Sequence, residues 1–191
     1  MAGNTSVVIN ALIDNVDTVV RGKRDRIRFA LCCLLTEGHL LLDDVPGTGK
    51  TSLAKAISNS IAGTWKRVQF TPDLLPADIT GVMVYDQRAG VFSFREGPVF
   101  TNVLIGDEIN RGSPKTQSAL LEVMEERQVT VDSVNRPVPR PFVVIATQNP
   151  VEFDCTYHLP EAQIDRFMMR MAMGYPSHEA EVESITSRLQ G

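Results

Sequence analysis

The sequence predicts a single α/β domain built on a parallel sheet with crossover helices. Three observations carry that expectation. Apolar residues alternate along the chain between helical spacing and short strand-like runs. A glycine-rich turn, Asp44-Val45-Pro46-Gly47-Thr48-Gly49-Lys50-Thr51, stands between one such run and a helix. A second apolar run, Val103 to Gly106, ends on the acidic pair Asp107-Glu108. The 191 residues suffice for a substantial core, and the 43% apolar and 22% charged fractions are those of a globular domain.

Taken in order, Asp25 to Thr36 places Ile27, Ala30, Leu31, Leu34 and Leu35 at helical spacing, and His39 to Leu42 reads as a short strand. Thr51 to Ala62 is a second helix with Leu53, Ala54, Ile57 and Ile61 on one face, and Arg67 to Phe70 a second strand. Thr71-Pro72-Asp73 has the form of a helix start, a capping threonine before proline. That helix is expected to be interrupted by a hairpin of Gly81 to Asp86 with Val91 to Arg95. After the strand Asn102 to Gly106, Ser113-Pro114 opens a helix running to about Gln128. A hairpin follows at Val129 to Val138, then the strand Phe142 to Ala146. Leu159 to Arg166 is a short helix, Phe167 to Met173 a last strand whose methionines belong to the core, and Ser177 to Leu189 a helix-like end.

The net charge of −4 argues against broad affinity for nucleic acid or anionic membranes. Arg21, Lys23, Arg24, Arg26 and Arg28 read as a solvated or interface face. No leader pattern opens the sequence, and its most apolar stretch, Phe29 to Leu42, is too short and too broken to span a bilayer. Cys32, Cys33 and Cys155 lack metal-ligand spacing and read as plain buried or semi-buried thiols in a reducing cytosol.

The glycine-rich turn points to phosphate. Consecutive backbone N–H groups there can wrap phosphate oxygens, and the next helix directs its positive end at the same charge. Lys50 would reach the β- and γ-phosphates of ATP and the Thr51 hydroxyl would ligate magnesium; Val45, Pro46, Gly47, Thr48, Gly49 and Ser52 complete the cradle. Asp44 stands where the pattern has glycine, which puts a carboxylate near an anion. The pair at the end of the second run supplies the rest. Asp107 suits the magnesium shell, and Glu108 is placed to orient and polarise the attacking water.

The turn and five further phrases resemble the MoxR family of AAA+ ATPases over nearly the whole chain. These are Gly106-Asp107-Glu108-Ile109-Asn110-Arg111, Pro114 to Glu122, Met124 to Thr130, Ala146-Thr147-Gln148-Asn149-Pro150, and Leu159 to Phe167. The resemblance implies a P-loop NTPase core with a five-stranded parallel sheet in the order 5-1-4-3-2, and a hairpin inserted in the second helix that touches substrate or partner. It implies that Asn149 holds the catalytic water or γ-phosphate, and that Arg166 is an arginine finger reaching a neighbouring subunit's nucleotide. Without the family, Arg166 would read as a helix-end arginine paired to Asp165 or Glu161. Val20 and Gly22 match the stretch beside the adenine.

Such a protein is expected to be a bacterial cytoplasmic, magnesium-dependent ATPase that assembles into a ring, a hexamer by resemblance. It would work with von Willebrand A domain proteins to remodel or mature clients. The family carries a helical lid after the core, and residues 1–191 match the core alone, so binding is expected to survive and turnover to be weak. The alternatives are a nucleotide-gated binding module with little turnover and a small P-loop kinase, which would not require Asn149 or a trans Arg166. The magnesium chelatase ATPase subunit is a further relation, but Glu161 to Phe167 look more like MoxR.

Overall fold

The computed structural model describes residues 2–43, 49–149 and 157–174, with the side chains of 2–5 left aside. The elements run α1 (Ala2–Asp17), α2 (Arg24–Leu35), β1 (Leu40–Asp43), α3 (Lys50–Ser60), β2 (Trp65–Gln69), α4 (Pro76–Thr80), β3 (Gly81–Asp86), β4 (Val91–Glu96) and β5 (Val103–Asp107). A single 3-10 turn (Ile109–Arg111) precedes α5 (Pro114–Glu126), β6 (Gln128–Val131), β7 (Val134–Pro137), β8 (Val143–Gln148), α6 (Glu161–Ile164) and β9 (Met169–Met171). The Ser177 to Leu189 stretch and Cys155 lie outside the described residues.

Five strands form one parallel sheet in the order β2-β5-β8-β1-β9, which is the expected 5-1-4-3-2. The inner strands are buried on both faces, so period-two alternation sorts each strand between two cores. Leu40, Leu42, Val103, Ile105, Val143 and Ile145 pack with α1, α2 and α3. Leu41, Val68, Leu104, Val144 and Ala146 face the other way, onto α5, Phe70 and Phe167. By the same alternation Asp107, two residues beyond Ile105, and Thr147, two beyond Ile145, belong to the α3 side of the sheet. Arg67 and Gln69 flank Val68 and share that side.

Several local expectations need correction. No element is expected before Asp25, yet α1 occupies Ala2–Asp17 and buries Ile13 and Val16. Its Ile9, Leu12, Ile13 and Val16 lie at helical spacing, so the signal is local. Thr71 starts a turn closed by the Leu74 N–H to the Thr71 carbonyl, and the helix begins at Pro76. The reason is a second proline with a better cap: Asp78 Oδ2 accepts the Leu75 N–H at 2.9 Å. Leu35 is exposed at the end of α2. Strand β9 covers only Met169–Met171; Met173 is core, Met169 and Met171 pack at its margin, and Met168 is exposed. Cys32 is exposed, whereas Cys33 is buried and burial pushes its thiol up to about 11.

The β3–β4 hairpin leaves α4 directly, and residues 97–102 return to β5 through turns. Its base is tight: a Cβ on Gly97 would lie 2.2 Å from the Ile79 carbonyl oxygen, so only glycine lets the two backbones meet there. The Ser113 cap is as expected, its Oγ accepting the Thr116 N–H at 3.3 Å. Helix α5 ends where Arg127 turns left-handed at φ 58°. His39 joins three elements at the far end of the sheet. Its Nδ1 accepts the Val144 N–H at 3.0 Å and its Nε2 donates to the Met124 carbonyl at 3.1 Å. Burial, then the neighbouring Arg127 guanidinium, pushes His39 down to about 4.

Candidate nucleotide site

The C-terminal edge of a parallel sheet is where crossover folds hold ligands. At that edge β1 ends on Asp43, β5 on Asp107 and β8 on Gln148. Asp44, Val45, Pro46, Gly47 and Thr48 lie outside the described residues. The described part of the loop is its exit. Gly49 stands in the left-handed region at φ 89° as the residue before α3, a conformation that glycine adopts without strain. Lys50 and Thr51 open the helix, half-buried, and Ser52 is exposed. Helix α3 has no acidic residue in its first turn and no side-chain cap among the described residues. Its leading N–H groups therefore lack intrahelical acceptors, as suits an anion. Helix α3 packs against β5, on the side of the sheet to which Asp107 belongs.

Asp107 is 6% exposed. Its Oδ2 accepts from Arg67 Nε at 2.6 Å and its Oδ1 from the Thr147 hydroxyl at 3.2 Å. Thr147 in turn accepts the backbone N–H of Glu108 at 2.9 Å. One buried hydroxyl on β8 thus touches both acidic residues at the end of β5, the Asp107 side chain and the Glu108 backbone. Glu108 does not continue the strand. At φ 54° and ψ 51° it is left-handed, a conformation costing a non-glycine residue about 1–2 kcal/mol. Its carboxylate accepts from Gln69 Nε2 at 2.9 Å and from Arg111 Nη1 at 2.9 Å, both on Oε2. Simple strand alternation would point adjacent carboxylates to opposite faces; the left-handed turn removes that constraint.

Asn149 follows β8, buried at 7%, and its carbonyl accepts from Asn110 Nδ2 at 3.5 Å. Arg166 lies on the other side of the sheet. It donates to the Leu121 carbonyl at 2.9 Å and pairs with Glu125 Oε2 at 2.7 Å, both on α5. Its partner is therefore neither Asp165 nor Glu161, because the chain following α6 lays the side chain along α5. Val20 is buried in the core between α1 and α2, while Gly22 lines a cavity of about 510 Å³ with Lys23, Arg26, Phe29 and Met173. Among the basic residues near it, Arg24 pairs with Asp14 and Asp17, and Arg28 with Asp25. Lys23 departs from the expected solvated face: it is buried at 8% and donates to the Gly174 carbonyl at 2.7 Å.

Sequence reasoning assigns no role to Arg67, Gln69, Arg111 or Thr147. Thr147 carries a signal, a polar residue at a core-facing position directly after the apolar run Val143 to Ala146. Arg67 and Gln69 lie on β2 and meet the carboxylates only through sheet pairing, whereas Arg111 stands three residues after Glu108 and reaches it within the 3-10 turn. Gln69 stands opposite Asp107 in the β2–β5 register.

A glycine-initiated helix beside a strand that ends on paired carboxylates, in this strand order, defines a P-loop ATPase core. The family model described as "ATPase family associated with various cellular activities (AAA)" matches residues 39–169. The chain is 50% identical to the uncharacterized protein YeaC of Bacillus subtilis over 94% of its length, covering 56% of that protein. It is 47% identical to Chaperone MoxR1 of Mycobacterium tuberculosis over 91% of its length and 46% of that protein. A crystal structure of a candidate ATPase from Cytophaga hutchinsonii superposes with a TM-score of 0.80 at 44% identity, covering 96% of this chain and 56% of that one. The chain belongs to the MoxR family of AAA+ ATPases. It spans about half the length of the curated relatives it matches. Among the described residues no helix is long and apolar enough to cross a membrane.

Proposed function

We propose that this chain binds ATP with magnesium at the C-terminal edge of the sheet and hydrolyses it, as the motor of a ring that remodels or matures client proteins. The observation that carries this reading is the Asp107–Thr147–Glu108 arrangement at the end of β5, the strand against which α3 packs. In the reading, Val45 to Ser52 wrap the phosphates and Lys50 neutralises the β- and γ-oxygens. The residues present suit magnesium, a hard cation that takes oxygen ligands: the Thr51 hydroxyl and the Asp107 carboxylate would hold it. When bound, magnesium offsets phosphate charge and lowers the barrier to displacement. Glu108 uses its Oε1 side to orient the attacking water and accept its proton, while Oε2 stays tied to Gln69 and Arg111. Asn149 holds the water or γ-phosphate, and Gly22 flanks the adenine.

Arg166 acts on a neighbouring copy's nucleotide. Its position along α5, on the side of the sheet away from α3, supports a role in trans over one in its own site. A homo-oligomeric ring follows, of six copies by family resemblance, with von Willebrand A domain proteins as partners in the bacterial cytoplasm. The name of the Mycobacterium tuberculosis relative, a chaperone, supports client remodelling.

The test is Lys50→Ala measured by calorimetry with ADP and magnesium. Loss of binding is the expected outcome; unchanged affinity would remove the phosphate-loop assignment.

A further inference from the structure

The metal-binding carboxylate has a resident cation. Asp107 is almost wholly buried at the end of β5, and a carboxylate so placed needs a counter-charge. The charge on its Oδ2 is Arg67, with Nε at 2.6 Å, while Oδ1 takes the neutral Thr147 hydroxyl. Arg67 differs from Asp107 in its freedom. Its side chain is 51% exposed, and β2 is an edge strand of the sheet. Its other hold is a long contact from Nη2 to Gln69 Oε1 at 3.5 Å. The guanidinium can therefore return to water once another cation takes its place on Asp107, whereas the carboxylate cannot.

We propose that Arg67 is a positioning residue that neutralises Asp107 before nucleotide arrives and that magnesium must displace, so that Arg67 sets the magnesium concentration at which nucleotide binds tightly. The inference rests on the nucleotide reading above. A divalent ion and a guanidinium on opposite sides of one carboxylate repel each other. At about 6 Å that repulsion is worth about tenfold in affinity even at the dielectric of bulk water. The same pairing has a use in the metal-free chain, where it keeps a buried charge from standing alone until Mg-nucleotide takes over.

The experiment is ADP binding to the whole chain by calorimetry across a magnesium titration, which requires no turnover. Arg67→Gln removes the charge and keeps an amide donor for Asp107; it should lower the magnesium midpoint about tenfold with little change in affinity for metal-free ADP. Arg67→Lys keeps the charge and should stay within about threefold of the parent. A midpoint that is unchanged or raised in Arg67→Gln overturns the proposal while leaving the nucleotide site intact. Absence of ADP binding by the parent chain at any magnesium concentration overturns both.

A second measurement uses the unaltered chain and stands even if Arg67→Gln does not fold. The Arg67 Nε–H resonance, assigned by its loss in Arg67→Lys, should move toward the position of a solvated guanidinium on saturation with Mg-ADP. A resonance that Mg-ADP leaves in place shows the pair intact and refutes the exchange.

Discussion

Thr147→Val isolates the one hydroxyl that ties Asp107, at the end of β5, to Glu108 just beyond it. Valine has nearly the same volume, so the buried site keeps its packing and loses only polar contacts. Two bonds disappear: the donation to Asp107 Oδ1 and the acceptance of the Glu108 N–H. A hydrogen bond to a charged group contributes roughly 1.5–3 kcal/mol, and a buried N–H left unpaired costs roughly 1–3 kcal/mol. Allowing for the added apolar methyl, the net loss is roughly 3 kcal/mol. For a chain of this length that corresponds to a fall in Tm of about 6–12 °C, read by thermal or urea unfolding. Thr147→Ser is the control. It keeps both bonds and gives up a methyl group worth about 1 kcal/mol, so it should unfold above the valine variant. If valine proves as stable as threonine, or more stable than serine, packing and not hydrogen bonding governs this position, and the reasoning fails. Turnover should fall further in the valine variant than in the serine variant, because Glu108 loses the anchor of its left-handed turn.

The other expectations concern charge. Glu108→Gln should keep Mg-ADP binding and lower hydrolysis by about 10²–10⁴-fold; a fully active variant removes Glu108 from the mechanism. Hydrolysis per molecule should rise with protein concentration, and Arg166→Ala should abolish that rise; a rate flat at all concentrations in the parent chain speaks against completion in trans. His39 gives a pH dependence. Its folded value of about 4 lies below the ordinary 6.5, so the stability it confers is complete above pH 6.5 and is lost as pH falls through 4. That depression is worth roughly 3 kcal/mol. In His39→Gln the decline in unfolding free energy between pH 6.5 and 4 should be shallower by about that amount, and parallel curves would show that His39 does not stay neutral.

Much of the molecule was legible because its signals are local. The alternation of short apolar runs with amphipathic helices predicts the sheet, and family resemblance supplies its order. Lys50 and Thr51 are set at the start of α3 by Gly49, whose left-handed backbone is a property of that one residue. Asp107 and Glu108 declare themselves by following an apolar strand. Even α1, absent from the expected elements, has its apolar residues at helical spacing. The helix start misplaced at Thr71 is a competition between two prolines four residues apart, decided by the Asp78 cap.

What only the tertiary structure decided are the partners of the charges. Arg67 and Gln69 are some 40 residues from Asp107 and Glu108 in the chain, and Thr147 lies a similar distance beyond them. Parallel pairing of β2, β5 and β8 brings all five to one edge. Arg166 reads from sequence as a helix-end arginine or a finger, and packing lays it on Glu125 of α5. The physical reason is common to these cases. Backbone propensity and burial period act over a few residues and leave a trace in composition. A salt bridge or hydrogen bond across strands depends on register and on which face each residue occupies, and both are set only when the sheet closes.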